Sequence, residues 1–498
     1  MTVARPNQYL FLSNGFMTQS VDTGTILLSG ADMYLMAPFV LLLLSIAVIP
    51  FISKKWWDKY YPLVSLSLGA VTAFYYLFLL HNPGILKDTL YQYSSFIILI
   101  GSLYIVSGGI HVSSRGVATP FRNVVFLGAG AVLSNLFGTM GASLILIRPF
   151  LRVNKERFKG FHLVFFVFLV CNIGGALLPI ADPPLFLGYL MGIPFLWVFK
   201  NVWVIWLMAV ILLLILFYIL DSIDYRRYTR NQGGKPVERI VEKITVKGIY
   251  NIAFLCVIAL SVFINHPPLL RECIMIFAAI GSWLLTHKEI YKNNGYNLFP
   301  LKEISILFLG IFLTIIPVLN WLEINAMALP FSTPGGYYWG CGILSSFLDN
   351  APTYLNFMSA AIGINVNPEA LKTLSHFIAT HGEGVGNLAG AHAEQIRLGY
   401  ETLVKNYGSL AVSSGDLSVE KMKIGYLIAN YPSYIRAISV GAVFFGACTY
   451  IGNAPNYVVK TIVEGSCMKT PSFHAYIIRY TLPILLPLFL VIWFIWFT

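Results

Sequence analysis

The chain has 498 residues, of which 57% are hydrophobic and only 11% are charged. A soluble domain carries about 25% charged residues, so this composition excludes a soluble protein and predicts a polytopic membrane protein. The formal net charge of +11 is as typical of basic cytoplasmic loops as of a nucleic-acid surface, and no nucleic-acid partner is expected. The six cysteines form no CxxC pair and indicate neither disulfides nor zinc.

The first 31 residues contain one basic residue, Arg5, and no compact apolar core before a cleavage site. We therefore expect residues 1–31 to be an N-terminal extracytoplasmic segment rather than a cleavable signal peptide. Roughly 20 apolar residues span a bilayer. The plain candidates for such spans are 32–52, 62–80, 94–112, 201–220, 248–265, 268–286, 303–322 and 474–497.

Two further apolar stretches, 123–150 and 336–360, have polar residues and glycines at their centres and apolar arms on both sides. Each pattern favours a re-entrant hairpin. The alternative for each is an ordinary span with a glycine-rich packing face. The predicted tips of the two hairpins are Ser134-Asn135 and Asp349-Asn350.

Two spans are interrupted halfway, at 161–192 and 432–463. The first contains NIGGALLPIADPP, from Asn172 to Pro184, and the second contains TYIGNAPN, from Thr449 to Asn456. Proline cannot continue a helix, and unwound backbone at membrane depth persists only inside protein or beside water. Two broken segments at matching places in two halves indicate the binding site of a transporter.

The charge distribution supports two hairpins. With the N-terminus outside and each hairpin returning to its side of entry, 22 of the 33 Lys and Arg residues lie in cytoplasmic loops and eight lie outside. This positive-inside asymmetry would be lost if either hairpin were a full span. We therefore predict an all-α polytopic fold built as an inverted repeat. Its parts are a first half, 32–220, a cytoplasmic linker, 221–247, a second half, 248–360, and a last part, 426–498, with the second broken helix and the final span.

The remaining stretch, 361–425, is polar and longer than a usual connection, which predicts an extracytoplasmic insert. Its histidines and glutamates have no recognised spacing of metal ligands. The candidates considered as metal ligands are His376, His381, Glu383, His392 and Glu394. We expect a solvated loop rather than a metal site.

A small cation at the bilayer midplane needs oxygen ligands and at least one negative charge. The hairpins and broken helices offer eleven candidate ligands for a substrate or ion: Ser134, Asn135, Thr139, Asn172, Asp182, Asp349, Asn350, Thr353, Thr449, Asn453 and Asn456. Asp182 and Asp349 are the only acidic residues in these four elements. Because burial disfavours a bare carboxylate, each would hold a proton or a cation, and this competition suffices for antiport.

For the transported Na⁺ we expect Asp349, Asn350 and Asn135 as ligands, with Asp349 as the first choice; no resident cofactor is expected. The alternative for Asp182 is that it caps a half-helix, since Asp is a preferred N-cap with Pro at N1. Capping is also an alternative for Asp349. No Lys, Arg or His occurs at either tip or break, which disfavours an anionic substrate, because only half-helix N-termini would bind it.

These motifs resemble those of NhaD-type sodium/proton antiporters and their citrate-transporter relatives, within the ion-transporter superfamily. The blocks that carry the resemblance are Ser134-Asn135 with Gly138-Thr139, Asn172-Ile-Gly-Gly with Asp182-Pro-Pro, Leu348 to Thr353, and Ala442 to Asn456. The resemblance covers about 30–360 and 425–498. It implies a scaffold domain and a transport domain, an elevator motion and a homodimer.

The dicarboxylate symporters of this superfamily carry Ser-Asn-Thr at each hairpin. Here leucine follows Asn135, and the second tip reads Asp349-Asn350-Ala351. The sequence therefore predicts a secondary transporter, with small ions and lipid as partners, that exchanges Na⁺ or Li⁺ for protons across a bacterial inner membrane. The alternatives are a cation-coupled carrier of citrate or a similar small carboxylate, and an oxyanion carrier. An enzyme is not expected, because no histidine lies in the irregular intramembrane stretches to act as a base.

Overall fold

The computed structural model describes residues 34–113, 119–231, 245–264, 267, 269–330, 332–382, 385–390, 392–409, 412 and 417–498. The predicted N-terminal segment, 1–31, lies outside these residues. The described part is helical apart from one short antiparallel sheet, in which β1 (His111–Ser113) pairs with β2 (Thr245–Lys247).

The helices follow one another in three groups. In the first half they are α1 (Ala37–Ile52), α2 (Lys54–Leu79, ending in a π-helix over Tyr75–Leu79), α3 (Pro83–Gly108), α4 (Pro120–Asn154), α5 (Gly160–Leu169), α6 (Pro183–Met191) and α7 (Trp197–Asn231). In the second half they are α8 (Asn251–Ser261), α9 (Leu270–Leu285), α10 (Lys288–Asn293), α11 (Phe299–Asn325), α12 (Pro334–Phe347) and α13 (Asn350–Asn365). The last group is α14 (Pro368–Ala379), α15 (Ala393–Tyr407), α16 (Val419–Asn430), α17 (Pro432–Phe445), α18 (Ala454–Gly465) and α19 (Phe473–Trp496, with a π-helix over Ile477–Leu485).

Six of the described helices are long and apolar enough to cross a membrane: α2, α3, α4, α7, α11 and α19. Shorter apolar helices accompany them, among them α1, α5, α8 and α17. This architecture confirms the predicted all-α polytopic membrane fold.

The helix α4 is the first hairpin. A straight helix of 35 residues would be about 52 Å long, yet the side chains of its two ends are hydrogen-bonded to each other. Asn123 Nδ2 donates to Asn154 Oδ1 at 2.8 Å, and Asn154 Nδ2 donates to Asn123 Oδ1 at 3.0 Å. The chain reverses at Gly138, whose φ of 75° is in a region that favours glycine. The prediction that Ser134-Asn135 forms the tip is therefore wrong, because the turn requires the glycine and not the polar pair.

The helices α12 and α13 form the second hairpin, which turns at Leu348 and Asp349. Its arms are packed together, since the rings of Tyr337 and Phe357 lie 5.8 Å apart in an edge-on arrangement. The turn thus lies where the sequence predicted the tip.

Each broken helix is interrupted by irregular backbone. The first break, 170–182, separates α5 from α6, and the second break, 446–453, separates α17 from α18. Each break contains a short 3₁₀ turn, and each following half-helix has a proline in its first turn, Pro183 in α6 and Pro455 in α18. Proline is favoured there because its missing N–H would have no partner in any case.

The prediction of a solvated loop at 361–425 is wrong for most of its length. The described residues form helices α14 and α15 and the start of α16. One apolar face of each helix is buried, at Leu374, Leu403 and Ile424. The apolar residues of this polar stretch therefore recur with the spacing of an amphipathic helix. No cluster of metal-ligating side chains occurs among the described residues; Glu383 lies outside them.

The first part of the predicted cytoplasmic linker, 221–247, is helical, because α7 continues through Asn231 rather than ending at Leu220. Residues 232–244 lie outside the described part. The helix continues past the end of its apolar run. Its first charged residue, Asp221, is fully buried and has partners on neighbouring elements. Its carboxylate accepts hydrogen bonds from Asn123 and Arg157.

Candidate functional site

The carboxylate of Asp182 lies where both hairpins and both breaks meet. Its Oδ1 accepts hydrogen bonds from Thr139 Oγ1 of the first hairpin, at 3.0 Å, and from Asn453 Nδ2 of the second break, at 3.2 Å. Its Oδ2 accepts from Asn350 Nδ2 of the second hairpin at 2.6 Å. Asp182 is only 2% exposed, so one buried carboxyl group joins all four irregular elements.

The local sequence explains why this carboxylate is available to the site. Asp182 occupies the N-cap position of α6, but its side chain makes no capping hydrogen bond. Pro183 and Pro184 follow it and have no N–H to donate, so the first turn offers fewer donors than usual. The carboxylate is bonded to the hairpins and the second break instead.

Asp349 has the opposite arrangement. Its Oδ1 accepts a hydrogen bond from the backbone N–H of Ala351 at 3.1 Å and thereby caps α13. Helix capping was an alternative for both aspartates. The side chain of Asp349 caps its helix, and that of Asp182 does not. Asp349 nevertheless lines the same cavity as Asp182.

The predicted asparagines of the breaks hold unwound backbone in place. Asn172 Nδ2 donates to Asn456 Oδ1 at 2.7 Å, and Asn453 Nδ2 donates to Asn172 Oδ1 at 3.2 Å. Asn456 Nδ2 donates to the carbonyl oxygens of Gly446 and Thr449, at 2.8 and 2.9 Å. These amides link the two breaks and satisfy carbonyl groups that the interrupted helices leave free.

The predicted tip residues of the first hairpin bind the first break. Ser134 Oγ donates to the carbonyl of Val170 at 2.7 Å, and Asn135 Nδ2 donates to the carbonyl of Gly174 at 2.6 Å. Asn135 Oδ1 accepts from the N–H of Leu177 at 3.0 Å. The oxygen that was expected to bind Na⁺ is therefore engaged with the backbone.

The two remaining predicted residues also bond to backbone. Thr353 Oγ1 donates to the carbonyl of Asp349 at 3.0 Å, and Thr449 Oγ1 donates to the carbonyl of Ser346 at 2.6 Å. Of the eleven predicted residues, the structure brings Thr139, Asp182, Asn350 and Asn453 together at one carboxylate. Asp349 adds a second carboxylate to the cavity, and the other six hold the hairpins and breaks.

Sequence reasoning missed Ser345. Its Oγ donates to the carbonyl of Ala442 at 2.6 Å and so ties the second hairpin to α17, as Ser134 ties the first hairpin to the residue after α5. Both serines lie four positions before the turn of their hairpin, at Gly138 and Asp349. That shared offset is recognisable only once the first turn is placed at Gly138.

A cavity of about 50 Å³ borders Asp182. The accessible surface of the cavity is mostly apolar and includes residues of α3 and α11 such as Phe308. The polar residues that border it include Thr139, Asp182, Asp349 and Asn453. One water needs roughly 10 to 15 Å³ measured in this way, so the cavity has room for a few waters or a small ion. Among the described residues that line it, none is Lys, Arg or His.

The side-chain oxygen of Asn350 is an unusual feature of this site. Asn350 is fully buried, and its Oδ1 has no hydrogen-bond partner among the described residues, although its Nδ2 bonds to Asp182. Leaving a buried acceptor unpaired costs about 1 to 3 kcal/mol. Asn350 is not one of the residues that line the cavity, and it contacts Asp182 through its Nδ2.

Comparison with known proteins gives a match over nearly the whole chain. A family model described as "Putative citrate transport" matches residues 29–497. No match was found among curated proteins. With its membrane-spanning helices, the chain belongs to this family of citrate-type transporters and is an integral, multi-pass membrane protein.

Proposed function

We propose that the protein is a secondary transporter that exchanges Na⁺ or Li⁺ for protons. The observation that carries the proposal is the cavity beside Asp182, which two carboxylates border and which has no Lys, Arg or His among its described lining residues. Carboxylate and amide oxygens suit small hard cations. Asp182 would bind the ion, Asn350 would add a neutral oxygen, and Asp349 would contribute a second negative charge.

Exchange follows from the partners of Asp182. Thr139, Asn350 and Asn453 donate three hydrogen bonds from neutral groups, which orient the carboxylate without cancelling its charge. A buried bare carboxylate is costly, so either a cation or a proton must accompany it. Because the two compete for one group, arrival of Na⁺ releases a proton and arrival of a proton releases Na⁺.

The same charges disfavour citrate as the occupant of this cavity. Two like charges 4 Å apart repel each other by about 4 kcal/mol at an effective dielectric constant of 20, and citrate would bring several negative charges toward Asp182 and Asp349. The cavity is also small for a tricarboxylate.

The second candidate is a cation-coupled carrier of citrate or a related small carboxylate. The family description favours it. In that case the acidic cavity would hold the coupling cation, and the anion would bind elsewhere.

Three further parts of the proposal rest on the resemblance to NhaD-type antiporters. They are a location in a bacterial inner membrane, a homodimer, and an elevator motion of the hairpins and broken helices against the remaining helices. The transported Na⁺ and H⁺ are substrates, and the proposal requires no resident cofactor.

The deciding experiment uses the purified chain in proteoliposomes that enclose a pH-sensitive dye. Pulses of external NaCl or LiCl should alkalinise an acidic interior, and KCl should serve as the ionic control. Citrate-dependent uptake of Na⁺, without exchange of Na⁺ for protons in citrate-free buffer, would replace the antiporter by the second candidate.

A further inference from the structure

A second cavity, of about 180 Å³, lies at the base of the first hairpin, away from Asp182. Its lining residues are Arg148, Leu151, Arg152 and Lys155 of α4 and its C-terminal end, and Ser466 and Met468 after α18. We call it the basic cavity. Three of its six lining side chains are cationic, and the described lining contains no acidic residue.

The three cations share one side of the same helical arm. Arg148, Arg152 and Lys155 are spaced at i, i+4 and i+7, which places them next to one another. Like charges at this spacing destabilise a helix, and none of the three forms an ion pair within the described part of the chain. An anion between them would remove this repulsion.

The nearby acidic residues are engaged elsewhere. Glu156 accepts a hydrogen bond from the Tyr228 hydroxyl at 2.7 Å. Glu464, close to the loop that carries Ser466, forms an ion pair with Lys460 at 2.8 Å and accepts from Thr470. Within the described residues, neither glutamate forms an ion pair with Arg148, Arg152 or Lys155.

Arg148 is held in position for binding. Its guanidinium packs against the backbone of Gly295, where a Cβ atom would overlap it. Its Nε is buried and has no hydrogen-bond partner among the described residues. Arg148 also lines the basic cavity, so its guanidinium is held at the cavity wall by the contact with Gly295.

We propose that the basic cavity binds a phosphate-class oxyanion. A planar guanidinium presents a fork of N–H donors that matches phosphate oxygens, and Lys155 adds a point charge. The chemistry is the same whether the phosphate is free in solution or belongs to the headgroup of an anionic lipid, for which basic pockets between membrane helices are suited. The anion would join the first hairpin to the loop after α18 and to Gly295.

The test uses the full chain, purified and delipidated in detergent. Binding of phosphatidylglycerol and of phosphatidylcholine is counted by native mass spectrometry, and binding of sodium phosphate is followed by thermal shift against sodium chloride at equal ionic strength. The variant is Arg148→Gln/Arg152→Gln/Lys155→Gln. The matched control, Arg226→Gln/Arg227→Gln/Arg230→Gln, removes three exposed positive charges from the end of α7.

We expect saturable binding of one probe to the unmodified chain. The triple variant should lose about tenfold or more in affinity, because it removes the charged hydrogen-bond donors to the anion, and the control should lose less than about threefold. A response to inorganic phosphate identifies a free oxyanion, and a response to phosphatidylglycerol alone identifies a headgroup. Equal losses in both variants, or no saturable binding of either probe, would overturn the proposal.

Arg152→Gln provides a check against misfolding, because Arg152 is exposed and its replacement should leave the fold intact. Arg148→Lys keeps the charge but removes the fork of donors. Both single variants should bind the responding probe more weakly than the unmodified chain. Full affinity in both single variants would contradict the assigned ligands.

Discussion

Asn350 donates a hydrogen bond of 2.6 Å to Asp182 across 168 positions of the chain. The bond joins the second hairpin to the first break, and therefore joins the two halves of the predicted repeat. Asn453 approaches the same carboxylate from the second break, 271 positions away. Neither half contains the whole site, so the site forms only when the two halves are assembled.

The first prediction concerns the two aspartates. Asp182→Asn should reduce Na⁺/H⁺ exchange by about two orders of magnitude or more, because leaving a buried ion without its counter-charge costs about 3 to 5 kcal/mol. Asp349→Asn should be milder, since the side-chain oxygen of Asn can still cap α13. The measurement is the exchange rate in proteoliposomes at matched protein content.

The ranking of these variants is the informative result. Both changes keep side-chain shape and remove one negative charge, so each serves as a control for the other. A larger loss in Asp349→Asn than in Asp182→Asn would return Asp349 to the leading role that the sequence predicted. Near-normal exchange in both variants would contradict the competition mechanism.

The second prediction concerns Asn350. Asn350→Ala removes the donor to Asp182 and the oxygen without a partner, so the Na⁺ concentration for half-maximal exchange should rise about tenfold or more. Asn365→Ala is the control on the same helix, because that amide bonds to the carbonyl of Ala361 in its own helix. Equal Na⁺ dependence in the two variants would exclude Asn350 as a ligand.

The third prediction concerns pH. If Na⁺ and a proton compete for Asp182, acidification should weaken apparent Na⁺ binding. In the range where the carboxyl group is mostly protonated, the half-maximal Na⁺ concentration should rise about tenfold for each unit of decrease in pH. Initial exchange rates over a grid of pH and Na⁺ concentrations measure this slope. A half-maximal concentration independent of pH throughout that grid would exclude direct competition.

The sequence predicted the features that local chemistry determines. Proline at 183 and 184 fixes the start of α6, and apolar runs of spanning length fix most of the membrane helices. The position of the first turn was missed by a few residues, because the polar pair Ser134-Asn135 was weighed above Gly138. A glycine with positive φ is a better marker of a turn than polarity.

Longer-range features could not be read from the sequence. Whether an aspartate caps its own helix or faces a cavity depends on donors that other elements supply. Asp182 finds those donors at Thr139, Asn350 and Asn453, whereas Asp349 finds one at Ala351. Each aspartate stands just before a helix whose first residues include proline. The sequence alone therefore did not decide which of the two caps its helix and which faces the cavity.

The fourth prediction concerns sidedness. Lys155 and Glu394 are both exposed, and the inverted repeat places Lys155 inside and Glu394 outside. Contacts between loops agree with this assignment, because they join segments that are predicted to lie on the same side. On the predicted inner side β1 pairs with β2, and on the predicted outer side the Tyr407 hydroxyl donates a hydrogen bond to the carbonyl of Gly192. Single cysteines at positions 155 and 394 should react with an impermeant reagent from opposite sides.

This experiment needs a cysteine-free background, because Cys256, Cys273 and Cys467 are exposed. Labelling in right-side-out and inverted vesicles, with a permeant reagent as the reference, gives the sidedness of each position. Reaction of both positions from the same side would exclude the inverted arrangement.

The fifth prediction concerns Asp221, which fixes the base of the first hairpin. Its Oδ2 accepts from Asn123 Nδ2 at 2.8 Å and from Arg157 Nη2 at 3.0 Å, and its Oδ1 lies 3.1 Å from His162 Nε2. Asp221 is fully buried and Arg157 is 4% exposed, so the pair is shielded from water. Through Asn123, the same carboxylate contacts the paired ends of the hairpin.

Asp221→Asn should destabilise the protein by about 3 kcal/mol, at the lower end of the cost of breaking a buried ion pair, because Asp224 lies 4.0 Å from Arg157 and keeps part of the attraction. Thermal unfolding in detergent measures the change, with Asp88→Asn at an exposed position of α3 as the control. Adding Arg157→Met should recover part of the loss, since the double variant no longer buries a guanidinium that has lost the charge of Asp221. A double variant less stable than Asp221→Asn alone would show that Arg157 stabilises the base by packing and not through its charge.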